Sequence, residues 1–247
     1  MGTNIFNNKK GIFITATGTD AGKTYVSGLI VKYLREKNVN AGYYKPALSG
    51  AYVKNGRLVP GDAEYVCRVA DLPRSPVDLV SYIFEPAVSP HLAAKIEQDR
   101  IHKNCHYITH RNRTPYIEKN VILQHFNKLS EEYDFLVVEG CGGILCPLRT
   151  PNTSLPNKLQ SNSELLMLPD IIKMLGLDII IVADAGLGTI NLVLLTVAYA
   201  RQENISIAGI ILNNFDGNNL LHKDNKKQIE FLTNLPVLDC IPTLHSK

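Results

Sequence analysis

The stretch Gly11-Ile-Phe-Ile-Thr-Ala-Thr-Gly-Thr-Asp-Ala-Gly-Lys-Thr24 constrains this chain more than any other. An apolar, β-type run, Ile12 to Ile14, enters a loop of small residues that ends in Gly22-Lys23-Thr24, and an amphipathic stretch follows at once. That order is strand, phosphate loop, helix. The backbone N–H groups of such a loop, with the N-terminus of the helix behind it, cradle anions. Lys23 is placed to reach the terminal phosphates of a nucleoside triphosphate, and the Thr24 hydroxyl suits Mg²⁺. The spacing departs from the usual G-x-x-x-x-G-K-[ST]: Thr17 stands where its first glycine would, with Gly18 one place later and Ala16 one place earlier. The preceding strand, the small residues and the immediate helix still point to nucleoside triphosphate binding.

Beyond this segment β and α patterns alternate. Strands are expected at 11–15, 41–45, 79–84, 135–139, 179–183, 207–213 and 237–241, and helices at 24–37, 62–70, 90–98, 117–132, 164–174, 190–203 and 224–233. Helix 24–37 sets Val26, Leu29, Ile30, Tyr33 and Leu34 on one face, with Lys32, Arg35 and Lys37 opposite. Phe135-Leu-Val-Val and Ile179-Ile-Ile-Val are continuous apolar runs, which suit strands buried on both faces of a parallel sheet. The expected architecture is therefore a single α/β domain over 1–247. It is a doubly wound, mostly parallel sheet of the P-loop NTPase kind, with functional loops at the C-terminal ends of the strands. At 247 residues and 45% apolar content the chain has ample core for it.

Other classes are disfavoured. A net charge of +3 makes no nucleic-acid footprint by itself. No run of 18 apolar residues appears, so no membrane span is expected. The polar N-terminus, Met1 to Lys10, lacks an apolar signal core, which predicts a cytoplasmic protein. Five scattered cysteines with no Cys-x-x-Cys pair read as free thiols in a reduced compartment. Cys141 has no local His or acid partner and reads as a small residue in a tight turn, not a nucleophile.

Two segments read as surface insertions. Residues 99–116 are basic and lack apolar periodicity, and residues 150–163 are rich in Asn, Ser, Thr and Pro. His102, His106 and His110 recur at every fourth position, a spacing that would suit Zn²⁺ on a helix. Thr109, Asn112 and Thr114-Pro115 oppose a regular helix, and the segment reads as a solvated basic loop.

Several polar residues fall at expected strand ends. Lys45 closes the strand at 41–45, Pro46 is expected to stop regular pairing, and Ser49 follows. Such a lysine is either a solvated charge or, beside a phosphate loop, a group that neutralises developing anions. Asp62 is either a helix N-cap or a Mg²⁺ partner near Thr24. Glu139 ends a buried apolar run ahead of Gly140-Cys-Gly-Gly143, where a metal-binding acid belongs and where Gly142 and Gly143 allow close backbone approach to a ligand. Asn213 ends another strand; it is a turn residue or an amide able to pair with a base edge.

Taken together these segments resemble the dethiobiotin synthetases, ligases of the biotin pathway. The matching pieces are Thr17-Gly-Thr-Asp-Ala-Gly-Lys-Thr24, Ala41-Gly-Tyr-Tyr-Lys-Pro-Ala-Leu-Ser-Gly50, Gly61-Asp-Ala, Glu85-Pro-Ala-Val-Ser-Pro-His91, Val138-Glu-Gly-Cys-Gly-Gly143, Gly188-Thr-Ile-Asn191 and Gly209-Ile-Ile-Leu-Asn-Asn214. The resemblance implies an ATP- and Mg²⁺-dependent ring closure. CO2 joins 7,8-diaminopelargonate as a carbamate, ATP converts the carbamate to a carbamic-phosphoric anhydride, and the second amine displaces phosphate. It implies that Lys23 and Lys45 hold phosphoryl and carbamate oxygens, and that Thr24, Asp62 and Glu139 hold Mg²⁺. Thr19 and Ser49 would lie near the diamine and carbamate, Gly142 and Gly143 would line the site, and Asn213 would read adenine. Asp20, Ala21 and Gly22 belong to the implied nucleotide-binding loop. Gly188 to Asn191 would present a helix N-terminus to the substrate carboxylate across a homodimer interface. The chain departs from the family at Ala16, where glycine is usual, and at Cys141, where alanine is.

Two other readings share the phosphate loop. A partitioning-type ATPase switch would lack Lys45-Pro46 with Ser49 and the 85–91 segment, and would carry an additional lysine early in its loop; residues 17–21 hold none. An amidotransferase-linked ligase of the cobalamin pathway would be much longer, with a separate glutaminase domain.

Overall fold

The computed structural model describes residues 10–102, 116–151 and 165–243. Strand β1 (Gly11–Ala16) leads into helix α1 (Lys23–Glu36) and β2 (Ala41–Ser49). A hairpin of β3 (Tyr52–Lys54) and β4 (Arg57–Val59) precedes α2 (Gly61–Val69). A 3-10 turn at Pro76–Leu79 opens β5 (Val80–Phe84), followed by α3 (Pro90–His102), α4 (Lys119–Glu132) and β6 (Phe135–Glu139). The short strands β7 (Pro147–Arg149) and β8 (Leu166–Met167) pair with each other ahead of α5 (Leu168–Leu175). The chain ends in β9 (Ile179–Asp184), α6 (Thr189–Gln202), β10 (Ile207–Asn213), α7 (Leu220–Thr233) and β11 (Val237–Cys240).

Seven strands form one sheet in the order β11-β10-β9-β1-β6-β2-β5, and every neighbouring pair is parallel. The continuous apolar runs explain this: every residue of β1, β5 and β6 is buried, as strands covered on both faces must be. The chain starts in the middle of the sheet, winds out to β2 and β5, returns at β6, and then crosses β1 to build the other half. β1, β2 and β6 therefore end side by side, at the place where ligands bind in open α/β sheets.

The structure corrects several expected boundaries. Strand β2 does not stop at Lys45 but runs on to Ser49, pairing with β6 over 41–44 and with β5 over 45–49. Pro46 is tolerated because pairing with β6 ends at Tyr44, so the missing N–H leaves no gap in that ladder. Helix α3 continues to His102, so the basic segment begins on a helix and not in a loop; Arg100 on it pairs with Glu85 at 3.1 Å. Helix α5 starts only at Leu168, with a proline in its first turn. The β3–β4 hairpin was not expected, although Asn55-Gly56 between two β-type triplets is a strong hairpin signal; both residues have positive φ. The readings of His106 and His110, the His102 side chain, and the rest of the 99–116 and 150–163 segments lie outside the described residues. Ala16, the departure from the usual loop, is the last residue of β1 and wholly buried, so its methyl belongs to the core and not to the loop.

Candidate active site

The loop between β1 and α1 is fixed from behind by β10. Gly22 has φ 93°, the left-handed region that favours glycine. A Cβ there would also run into the side-chain amide of Asn213, whose Nδ2 donates to the Ala21 carbonyl at 3.1 Å. Gly22, the N-cap of α1, has no side chain with which to occupy the first amides of the helix. Gly22→Ala should therefore add about 1–3 kcal/mol of backbone strain. The expected result is a lower unfolding temperature together with weaker ATP binding, both measurable by thermal shift with and without nucleotide.

Lys23, the first residue of α1, folds back over the loop and donates to the Gly18 carbonyl at 3.0 Å. Burial and then the charge of Lys45 lower its pKa, against the pull of Glu139 and Asp62. The site thus holds two lysines close enough to repel one another until an anion joins them.

Glu139 is the hub. It ends β6 with no exposed surface. Its Oε1 accepts from Thr24 Oγ1 at 2.8 Å and from Lys45 Nζ at 2.6 Å, and its Oε2 accepts from the Tyr43 hydroxyl at 2.8 Å. Lys45, only 3% exposed, also reaches Asp62 Oδ2 at 2.8 Å. Burial alone would depress the Lys45 pKa; Glu139 and Asp62 outweigh it and hold the ammonium charged. Asp62 is pushed up by burial but carried below the usual carboxylate range by Lys45. Tyr43 is driven well above the ordinary phenol range by burial and then by Glu139, so it stays a donor.

A pocket of about 530 Å³ opens over this cluster. Thr19, Asp20, Gly22, Lys23 and Thr24 line it from the loop, Lys45 and Ser49 from β2, Asp62 from α2, and Glu139 and Gly142 from β6 and beyond. Three expected residues do not line it. Ala21 is buried and offers its carbonyl to Asn213; Gly143 packs beneath the backbone of Ala16 and Thr17; Asn213 lies behind Gly22. The Asn213 Oδ1 is buried and without a partner among the described residues. Sequence reasoning missed Tyr43, Tyr25 and Tyr65. Tyr25 and Tyr65 meet edge to face at 6.4 Å and line the mouth. Tyr65 lies three residues after Asp62 on α2, a spacing that puts both on one helix face.

A family model described as an AAA domain matches residues 10–246. The ATP-dependent dethiobiotin synthetase BioD of Clostridium botulinum (strain Eklund 17B / Type B) is 47% identical over 231 residues, 94% of this chain and 90% of that protein. The protein of the same name from Clostridium botulinum (strain Langeland / NCTC 10281 / Type F) is 46% identical over the same shares. Among solved structures, the MinC:MinD cell division protein complex of Aquifex aeolicus superposes with a TM-score of 0.52 over 95% of this chain and 81% of that one. At 12% identity this likeness concerns the fold alone.

Proposed function

The chain belongs to the ATP-dependent dethiobiotin synthetase family, and we propose that it performs that ring closure with the groups gathered around Glu139. The observation that carries the assignment of roles is the second lysine. Lys45 sits buried between two carboxylates beside Lys23, at the mouth of the phosphate loop. The reaction spreads negative charge over phosphoryl and carbamate oxygens, and two desolvated ammonium groups stabilise that charge. Lys23 leaves the Gly18 carbonyl for the phosphates of ATP, and Lys45 turns from the carboxylates to the carbamate and the transferring phosphoryl group. Thr19 and Ser49 position the diamine and carbamate, and the Gly142 backbone lines the pocket while Gly143 supports the phosphate loop from beneath. The adenine amino group is assigned to the unpartnered Oδ1 of Asn213, which lies outside this pocket, behind Gly22, and must be uncovered for the base to reach it.

Thr24, Asp62 and Glu139 offer one hydroxyl and two carboxylates. These hard oxygens fit Mg²⁺ completed by phosphates and water, and among the described residues no cluster suits an all-protein metal cage. Bound there, Mg²⁺ would neutralise phosphate charge. Tyr43, holding the far oxygen of Glu139, leaves Oε1 turned toward the pocket.

The diamine's carboxylate is assigned to the N-terminus of α6 across a homodimer. Gly188 caps this helix without a side-chain hydrogen bond, and the Thr189 hydroxyl is buried with no partner among the described residues. Beside it Leu187 is 90% exposed and Leu195 61% exposed, with Leu192 one helical turn before. Such apolar residues suit contact with a second copy. Leu195→Asp should therefore shift the protein to monomer in analytical ultracentrifugation and raise the KM for the diamine more than that for ATP. A stable dimer in that variant would remove α6 from the interface. No helix among the described residues is long and apolar enough to cross a membrane, and work on small metabolites in the cytoplasm completes this reading.

The partitioning-type switch is set aside: the relatives that share nearly half their residues with this chain over almost its whole length are named synthetases. ATP hydrolysis that depends on both bicarbonate and the diamine is the assay that separates the two.

A further inference from the structure

We propose that Tyr25 and Tyr65 form the specificity wall for the aliphatic chain of the diamine: the methylenes between its amines and its carboxylate lie in the corner between the two rings. This deepens the synthetase reading of the pocket and rests on it. Thr19 and Ser49 serve the amine end of the substrate and the N-terminus of α6 its carboxylate, which leaves the chain between them without a partner.

Among the described residues that line the pocket, Tyr25 and Tyr65 supply the large apolar surface. The others are charged or polar, or as small as glycine and Cys141. A methylene chain entering this pocket therefore gains most by covering the two rings. Both rings are partly buried against the core, which holds them in place. Tyr65 is seated on the bare backbone of α1: a Cβ placed on Gly28 would stand 3.3 Å from its Cε1. Arg68, three residues further along α2, holds its guanidinium 5.5 Å from the centre of the same ring. Tyr25 meets Tyr65 with 6.4 Å between ring centres and 62° between ring planes.

Position and shape select the occupant. Tyr25 follows Thr24 directly on α1, and Tyr65 shares a face of α2 with Asp62, three residues earlier. The wall thus adjoins the proposed Mg²⁺ ligands, at the terminal-phosphate end of the loop, where the acceptor of the phosphoryl group has to approach. Adenine belongs to the other end, since Asn213 lies behind Gly22. A base also stacks on a flat aromatic face, whereas two rings set at 62° make a corner that a flexible chain fills. With the amines at Lys45 and Ser49, a chain laid along the rings brings the carboxylate out at the mouth, where a second copy can meet it. The tyrosines take no part in the chemistry; they bind the chain and so select amines that carry one.

The test measures kcat and KM of the full-length protein, with ATP, Mg²⁺ and bicarbonate, on three amines: 7,8-diaminopelargonate; 2,3-diaminooctane, which keeps the chain without the carboxylate; and 2,3-diaminobutane, which has neither. Cyclic urea is followed by mass spectrometry. In the unaltered protein kcat/KM should rise by on the order of 10-fold or more from diaminobutane to diaminooctane. Tyr65→Ala should lower kcat/KM on both long amines by on the order of 10-fold, through KM, with the KM for ATP unmoved. That loss should vanish on diaminobutane, and Tyr65→Phe, which keeps the ring, should reverse it on the long amines. An equal loss on all three amines, no gain from the chain in the unaltered protein, or a raised KM for ATP would overturn the proposal, the last by placing the base on the rings. Should Tyr65→Ala not fold, Tyr25→Ala and the comparison of amines on the unaltered protein decide. Failure of the wall alone leaves cyclic urea forming in the unaltered protein; its absence from every amine overturns the synthetase reading and the proposal with it.

Discussion

Lys45→Met is expected to lower turnover by on the order of 10²-fold or more, because it removes a preorganised charge from the place where anionic charge develops. Methionine keeps most of the buried stem and deletes the ammonium. The structure adds a second consequence. Glu139 is wholly buried, and Lys45 is its cationic partner at 2.6 Å. Breaking a buried pair by deleting one member costs about 3–5 kcal/mol. The Asp62 side chain, at 40% exposure, is rehydrated more easily and adds little. Thr24 and Tyr43 still donate to Glu139 and soften the loss. The single variant should thus be both slow and less stable. The double variant Lys45→Met with Glu139→Gln removes both charges together, and should recover most of the unfolding temperature while remaining inactive. Recovery of turnover in the double variant would mean that Lys45 serves the fold alone.

Glu139→Gln is the second large effect. The amide keeps the size of the side chain and can still accept from Thr24 or Tyr43, but it presents no anion to a cation in the pocket. If Glu139 holds Mg²⁺, the Mg²⁺ concentration for half-maximal turnover should rise by about 10- to 100-fold, with turnover at saturating ATP reduced as well. Titrating Mg²⁺ at fixed ATP reads this directly. An unchanged Mg²⁺ requirement would leave Glu139 as the counter-ion of Lys45 and no more. Asp62→Asn in the same titration separates the contributions, since Asp62 faces the pocket from α2, and its loss does not strand a buried group.

Much of the scaffold was legible in the sequence because the strands are uniformly apolar. Ile179-Ile-Ile-Val and Phe135-Leu-Val-Val admit no amphipathic alternative, and a strand buried on both faces has few places to go but the middle of a parallel sheet. Glu139 stood out for the same reason: an acid closing such a run has no solvent to face. Lys45 was harder. A lysine before a proline reads equally well as a strand end in water, and only the register, with β6 stopping at Tyr44 while β5 continues to Ser49, shows it inside a strand and buried. Tyr43 could not be found at all. In an apolar strand a tyrosine reads as core, and its hydroxyl meets a carboxylate 96 residues away in the chain. The pocket-lining Tyr25 and Tyr65 were missed for a related reason, since helix periodicity shows which face they share but not that α1 and α2 bring them together. The β3–β4 hairpin carried a plain Asn-Gly signal, but its strands are only three residues each, too short for a periodicity to show.

On the proposed function, the cluster around Glu139 closes a cyclic urea at the expense of ATP. The most direct test supplies purified protein with ATP, Mg²⁺, isotopically labelled bicarbonate and 7,8-diaminopelargonate, and follows products by mass spectrometry. The predicted result is dethiobiotin carrying the labelled carbon, formed in step with ADP and phosphate and absent when any one component is withheld. Folded protein that binds ATP but makes no labelled product, or that hydrolyses ATP at the same rate without bicarbonate and diamine, would contradict it.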